Sequence, residues 1–328
     1  MRDPSSSGMD GRAPVPRKFR AAVRAIGTAA FAAVALAACS SAPKTNTIVV
    51  EAKNRAAEYA ELGNSFLARG RLEEALSFHE QALRENRSVD NVEGIAASLN
   101  SIGRIYIAAG MLERAETELR DALEYGRIAA SDAQRALALA NLGEIRWLSG
   151  EAEGALELFE QAMPLAARDD AVRAIVLHDR AVVLRALGRR AEARSDFMAA
   201  QGINQKLSRW TELAANWYAL AGLSRSEGLL EDALVWAEKA LEADKRAEHS
   251  SGIAADLEAS GTILKELGRK EEAYDRYRRA FDVWLAAENR EGTRRALEAL
   301  AALADELGRA SEAAKWRSLL ASLGDGAD

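Results

Sequence analysis

The sequence predicts an all-α protein, an α-solenoid of about seven helix-turn-helix repeats. Three observations predict it. Glycines recur at Gly70, Gly110, Gly150, Gly188, Gly228, Gly268 and Gly308, forty residues apart except for one interval of thirty-eight. Five residues after each stands an alanine: Ala75, Ala115, Ala155, Ala193, Ala233, Ala273 and Ala313. The composition agrees. The 328 residues are 48% hydrophobic but only 6% aromatic, with 23 glycines and 5 prolines, which suits closely packed helices and not a loop-rich β protein. A fixed period of this length is the mark of a repeat array.

The first segment stands apart. Arg17, Lys18, Arg20 and Arg24 make it basic, and an uncharged, mostly apolar run follows from Ala25 to Ala38. That run is too short for a spanning helix, which needs about 20 apolar residues. A basic stretch, a short apolar stretch and small residues at the end describe a secretory signal peptide over 1–38. Leu36-Ala37-Ala38-Cys39 resembles the lipobox of bacterial lipoproteins. The resemblance implies cleavage before Cys39 and acyl chains on that cysteine, followed by a tether over 39–53. The stretch ahead of Arg17 is long for such a leader, so Met9 or a later codon is an expected alternative start. Ser40 stands where an Asp would signal inner-membrane retention in enteric bacteria, which implies the outer membrane. Cys39 is the chain's single cysteine, so neither an intrachain disulfide nor a cysteine zinc cage is available.

The repeats follow over 54–328, with boundaries near 54–90, 91–130, 131–168, 169–208, 209–248, 249–288 and 289–328. Each holds two stretches with apolar residues at i, i+3, i+4 and i+7, read as helices A and B. The glycine supplies the turn between them, at a φ that other residues resist. Seven residues before it stand Gly63, Gly103, Gly143, Ala181, Ala221, Gly261 and Ala301, all small, so A and B can approach closely. Seven residues after the column alanine come Ala82, Ala122, Ala162, Ala200, Ala240, Ala280 and finally Leu320. Acids open helix B at Glu73, Glu113, Glu153, Glu192, Glu231, Glu271 and Glu312, where the helix dipole favours negative charge. Capping candidates between repeats are Ser88, Asp90, Ser131, Asp132, Asp169, Asp170, Ser208, Ser250, Ser251 and Asn289. Pro164 falls inside the third helix B and predicts a kink or an early stop.

These columns resemble the tetratricopeptide repeat. Tyr59, Phe66, Tyr106, Phe159, Phe197, Trp217 and Tyr277 keep part of its aromatic pattern. The unit departs from the family in length, forty residues in place of thirty-four, and lacks the proline that closes helix B. Arg317 stands where the family often packs an aromatic residue and suits an end cap. The resemblance implies a right-handed solenoid whose A helices line a concave groove for partner segments. It places in that groove Asn64, Asn100, Arg104, Glu144, Trp147, His178, Arg185, Tyr218, Arg225, Glu258, Lys265 and Asp305. Arg185, Arg225 and Lys265 share one repeat position and form a basic wall for acidic side chains or a carboxylate. Trp147 and Tyr218 would add aromatic contact.

Catalytic patterns are missing from the sequence. His79, His178 and His249 fall in different repeats, and "GNSFLARG" lacks the Gly-Lys-Ser of a phosphate loop. No enzyme activity, no metal and no cofactor beyond the lipid on Cys39 are expected. The formal net charge of −6 argues against nucleic acid. The expected partners are proteins, with the membrane reached through the lipid. Two functions fit: a periplasm-facing scaffold for envelope, secretion or pilus assembly, or a regulator of one envelope enzyme.

Overall fold

The computed structural model describes residues 47–324; the signal peptide over 1–38, Cys39 and the first part of the tether lie outside them. The chain divides at Ala52 and Lys53 into two units. Of the first, Thr47–Ala52 is described and is helical. The second unit carries the repeats.

All regular structure among the described residues is helical. In chain order the helices are α1 (Thr47–Ala68), α2 (Leu72–Ser88), α3 (Val92–Ala108), α4 (Leu112–Ile128), α5 (Asp132–Leu148), α6 (Ala152–Leu165), α7 (Asp170–Ala186), α8 (Arg190–Lys206), α9 (Trp210–Ser226), α10 (Leu230–Arg246), α11 (Ser250–Glu266), α12 (Lys270–Ala286), α13 (Arg290–Glu306) and α14 (Ala310–Gly324). Odd helices are the A helices and even ones the B helices. From α2 onward each packs on its neighbours in sequence, and α1 meets α2 through Phe66 and Phe78, which makes the repeat unit an α-solenoid. The residues beyond the thirty-four of the usual repeat are shared between the two helices: α3 and α4, like most of the others, each span 17 residues.

The turns explain the period. Within a repeat, Gly110 takes φ 71°, and the amide of Met111 donates to the Tyr106 carbonyl at 2.8 Å, closing the helix in a Schellman turn. The seven turn glycines all have positive φ. At five of the six junctions between repeats the chain makes the same turn without glycine. Asp90, Ala130, Ser208, Glu248 and Glu288 sit at φ 51–55°. The amide of Ser131 then donates to the Gly126 carbonyl at 2.9 Å, just as Met111 does to Tyr106. The true structural period is therefore one helix and one turn, doubled by the alternation of glycine with other residues.

That turn displaces most capping candidates. Asp90 and Ser208 occupy the left-handed position. Ser88 ends α2 and donates to the Glu85 carbonyl. Asp132, Asp170 and Ser250 are first residues of their helices, and Ser251 contacts the His249 ring. Three side chains do cap: Ser131 for Gln134, Asp169 for Val172 and Asn289 for Gly292. Pro164 stops its helix early. α6 has 14 residues and passes into a single 3-10 turn, Ala166–Arg168, ahead of the Asp169 cap. Proline has no N–H to continue the ladder.

The small-residue columns are the packing seam. The seven alanines five residues after each glycine are wholly buried. So are Ala82, Ala122, Ala162, Ala200, Ala240 and Ala280. Across from the small column of helix A stands a large side chain of helix B. A Cβ added at Gly103 would meet Leu119 at 2.5 Å, one at Gly143 would meet Phe159 at 2.9 Å, and one at Gly261 would meet Tyr277 at 3.2 Å. In the last repeat this partner is Arg317, which turns out to an ion pair with Asp305.

Candidate functional site: the A-helix face

Helices α3, α5, α7 and α9 each touch the next A helix as well as their own B helices, whereas no two B helices pack comparably. The A helices therefore line the tighter, inner side of the stack. The groove residues fall at ten, six or three positions before the turn glycine. Positions four and then three apart share one face of a helix.

The structure sorts these residues by burial. Asn64, Arg104, Tyr218, Arg225, Lys265 and Asp305 are exposed. Glu144, Trp147, His178, Arg185 and Glu258 are half-buried. Asn100 is buried, and its amide donates to the carbonyl and the side chain of Gln134 at 3.1 and 3.0 Å. His178 stands edge-on to Phe197, and its Nδ1 lies 2.7 Å from the Asn216 amide. Burial, helped by Arg185, pulls its pKa down to about 4. Asn100 and His178 thus brace the wall from within. Trp147 packs against the core of the third and fourth repeats. Tyr218 is 45% exposed and open to a partner.

The basic wall is only partly available. Arg225 Nε donates to Glu266 at 2.8 Å, and Lys265 Nζ lies 2.8 Å from Glu306. Each pair joins one A helix to the next at the same register. Arg185, the first of the three, has no ion pair or hydrogen bond among the described residues; its guanidinium lies over Gly222 and acts on His178 and Tyr218. Glu258 is held by Trp284 Nε1 at 3.0 Å and by Arg295 at 3.4 Å. Burial raises its pKa while Arg295 lowers it.

The sequence reading missed a charged group around Arg104. Asp179 of α7 is half-buried, and burial, then the nearby Glu144, push its pKa up to about 7 against the pull of Arg104. Glu144 is likewise raised by burial and lowered by Arg104. Neither acid makes an ion pair or hydrogen bond among the described residues. The available signal was an acid at a position that is Asn141 in the previous repeat and Ala219 in the next.

A polar seam was missed as well. Asn86 Nδ2 donates to Ser98 at 3.2 Å, and Asn204 Nδ2 donates to Asn216 at 2.9 Å, each across a turn between repeats. At the next turn the same two positions are Asp244 and Asp256, both buried. His249 Nδ1 lies 3.1 Å from Asp244, and Asp256 Oδ2 has no partner.

Among the described residues no cluster of His, Cys, Asp and Glu could hold a metal ion, and no helix is long and apolar enough to cross a membrane. His79, His178 and His249 stand in separate surroundings. His79 is buried with both ring nitrogens unpartnered, and burial draws its pKa down to about 4.

A stacked helical array with an inner face of charged and polar side chains defines a repeat protein of the binding class. Comparison with known proteins places part of it more closely. A tetratricopeptide repeat model matches residues 55–128, and a second tetratricopeptide repeat model matches 138–174. The chain carries tetratricopeptide repeats there, and the later helices keep the same turns and seams. No curated protein matches in sequence. Several solved structures share the fold. A Rap protein complexed with Competence and Sporulation Factor is 16% identical, with a TM-score of 0.59 over 84% of this chain and 77% of that one. The apo quorum sensor NprR from B. thuringiensis is 16% identical, with a TM-score of 0.61 over 81% and 75%. The pilF protein of Pseudomonas aeruginosa is 21% identical, with a TM-score of 0.53 over 73% and 94%. At these identities the likeness is one of fold.

Proposed function

We propose that the protein is a lipid-anchored interaction scaffold of the bacterial cell envelope, which takes segments of partner proteins on its A-helix face. One observation carries the binding role. Arg104, Glu144, Asp179 and Arg185 lie on consecutive A helices, and no ion pair within the described residues closes any of them. Glu144, Asp179 and Arg185 are half-buried, and desolvated charges without an ion-pair partner are costly unless a ligand completes them. The repeats supply the rest, because an array of this kind offers one long surface to partners. The anchor rests on sequence: the basic stretch, the apolar run and Leu36-Ala37-Ala38-Cys39. The neighbouring folds add that similar arrays include a Rap protein complexed with Competence and Sporulation Factor.

Two measurements test the reading. Cys39→Ser should leave the protein unprocessed or release it from the membrane fraction; unchanged fractionation and migration rejects the lipid anchor. Cross-linking in intact cells, followed by purification in detergent, should recover partners. Several structural subunits favour the scaffold, and a single hydrolase or synthase favours the regulator. Wild-type protein that captures nothing, while Arg185→Glu behaves identically, rejects the inner face as a binding surface.

A further inference from the structure

One stretch of the A-helix face is built unlike the others. Glu144 on α5 and Asp179 on α7 are half-buried acids on adjacent, touching A helices, and the charge of Glu144 helps raise the Asp179 carboxyl. Asn141 is a third polar group of this stretch, on α5. It stands one turn before Glu144 on α5 and takes, in its own repeat, the place that Asp179 takes in the next. Asn141 is 5% exposed and makes no hydrogen bond among the described residues, and its buried Nδ2 is unpartnered. Buried amides are ordinarily satisfied, so this one marks an incomplete site. Further along the face, on α9 and α11, the charges are closed: Arg225 by Glu266, Lys265 by Glu306, Glu258 by Arg295 and Trp284.

We propose that Glu144, Asp179 and Asn141 form a pocket for one primary ammonium group of a partner polypeptide, a lysine side chain or an amino terminus. The inference rests on the binding role proposed above and names what its central subsite takes. The chemistry fits by count. An ammonium offers three N–H donors and no acceptor, while two carboxylates and an amide oxygen offer three acceptors. Which end of the Asn141 amide faces the pocket is a matter of its partner, since the two ends are interchangeable. The charge fits too. Arg104 of α3 acts on both acids, so the empty group with both acids ionised carries a single net negative charge, and one cation neutralises it. The charged groups acting on Asp179 are Glu144 from α5 and Arg104 from α3. Its carboxyl is raised to about 7, so an arriving cation expels a proton that the empty pocket holds near neutral pH.

The experiment uses the detergent-solubilised full chain and fluorescent pools of short peptides. In one pool a central Lys is fixed and the amino terminus is acetylated. A second has Gln in its place, and a third lacks Lys but keeps a free amino terminus. Expected is binding of the Lys pool about tenfold tighter than the Gln pool, a difference of about 1.4 kcal/mol. The affinity should rise between about pH 6 and about pH 8 as Asp179 ionises. Asp179→Asn should erase both the preference and the pH dependence, and Glu144→Gln should reduce the preference, with the circular dichroism of each variant unchanged. If the third pool binds as tightly as the first, the ammonium is an amino terminus. Equal binding of the Lys and Gln pools, or a preference that survives Asp179→Asn, overturns the pocket. If that happens while cross-linked partners are still captured by wild type and no longer by Arg185→Glu, the scaffold stands without this subsite. If wild type binds no pool and captures no partner, both readings fall.

Discussion

Asn204 donates its side-chain amide to Asn216 at 2.9 Å across the turn between the fourth and fifth repeats, and one repeat later the same two positions are Asp244 and Asp256. The neighbouring repeats thus carry a neutral and an acidic version of one buried pair. In the acidic version burial, then Asp244 and Glu238, drive the Asp256 carboxyl well above the carboxylate range. The folded protein holds a proton there that the unfolded chain releases.

The sign of the pH effect follows. A folded pKa raised above its unfolded value contributes stability that is complete below the unfolded pKa and is lost as pH rises through the folded one. Above about pH 6.5, where the lowered His79 and His178 rings no longer act in the opposite sense, the melting temperature should therefore fall up to about pH 9. The pull of Asp244 on His249 acts in the same direction, since it raises that pKa too. Asp256→Asn copies the fourth-repeat pair. It should stabilise the protein by about 1–3 kcal/mol near neutral pH, the usual value of satisfying a buried polar group, and flatten the slope. A melting temperature that drops at every pH would sink this account.

The turns between repeats give a second prediction. Ala130 sits at φ 51°, a conformation costing an L-residue roughly 1–2 kcal/mol. Ala130→Gly should stabilise the protein by about 0.5–1 kcal/mol once the extra entropy of glycine is counted, and so raise the melting temperature. The mirror test is Gly110→Ala. No atom lies within 4 Å of a Cβ placed there, so its cost, about 1 kcal/mol, is one of backbone alone. Melting temperatures that move the same way for both changes would mean that the two turns are not equivalent.

The helix seams give a third. Ala155 and Ala233 are fully buried, so Ala155→Leu or Ala233→Leu forces volume between close helices and should cost roughly 1–3 kcal/mol. Gly143→Ala should be costly for the same reason, with the Phe159 ring 2.9 Å from the new atom. Glu157 is exposed, and Glu157→Ala should cost less than about 0.5 kcal/mol. Thermal shifts that rank otherwise would reject the columns as packing positions.

Much of the fold was legible because its physics is local and repeated. The glycine column needs positive φ, and the alanine columns need small volume, so both leave a periodic trace. The early end of α6 was legible in Pro164 alone. The equivalent turns between repeats were not, because Asp90, Ala130, Ser208, Glu248 and Glu288 are of four residue types, none of them glycine, and are held in the left-handed region by the helices on either side. The candidate site was legible in outline. Family register put Arg104, Glu144 and Arg185 on the inner face, but Asp179 and Asn141 lie one position off the columns used. The basic wall of Arg185, Arg225 and Lys265 looks free in the sequence because Glu266 and Glu306 lie about forty residues further along, where only packed A helices bring them near.

Those ion pairs decide how the inner face should be tested. Reversing Arg225 or Lys265 to Glu would set a carboxylate against Glu266 or Glu306 and lower stability as well as binding. Neutral changes separate the two effects. Arg225→Gln and Lys265→Gln each break one exposed pair, worth about 0–1 kcal/mol, and should barely move the melting temperature. Arg185→Glu breaks no ion pair, because Arg185 has none among the described residues. It should leave the fold intact, as judged by circular dichroism, and weaken capture of the cross-linked partner. A hydrogen bond from a charged side chain to the partner is worth about 1.5–3 kcal/mol, so its removal should weaken affinity roughly ten- to a hundredfold. Wild-type binding should weaken with added salt, while the variant should show a shallower salt dependence. If Arg185→Glu binds the partner as wild type does, with the same salt dependence, the cations of the inner face are solvated surface and the partner lies on the B helices or at the ends of the array.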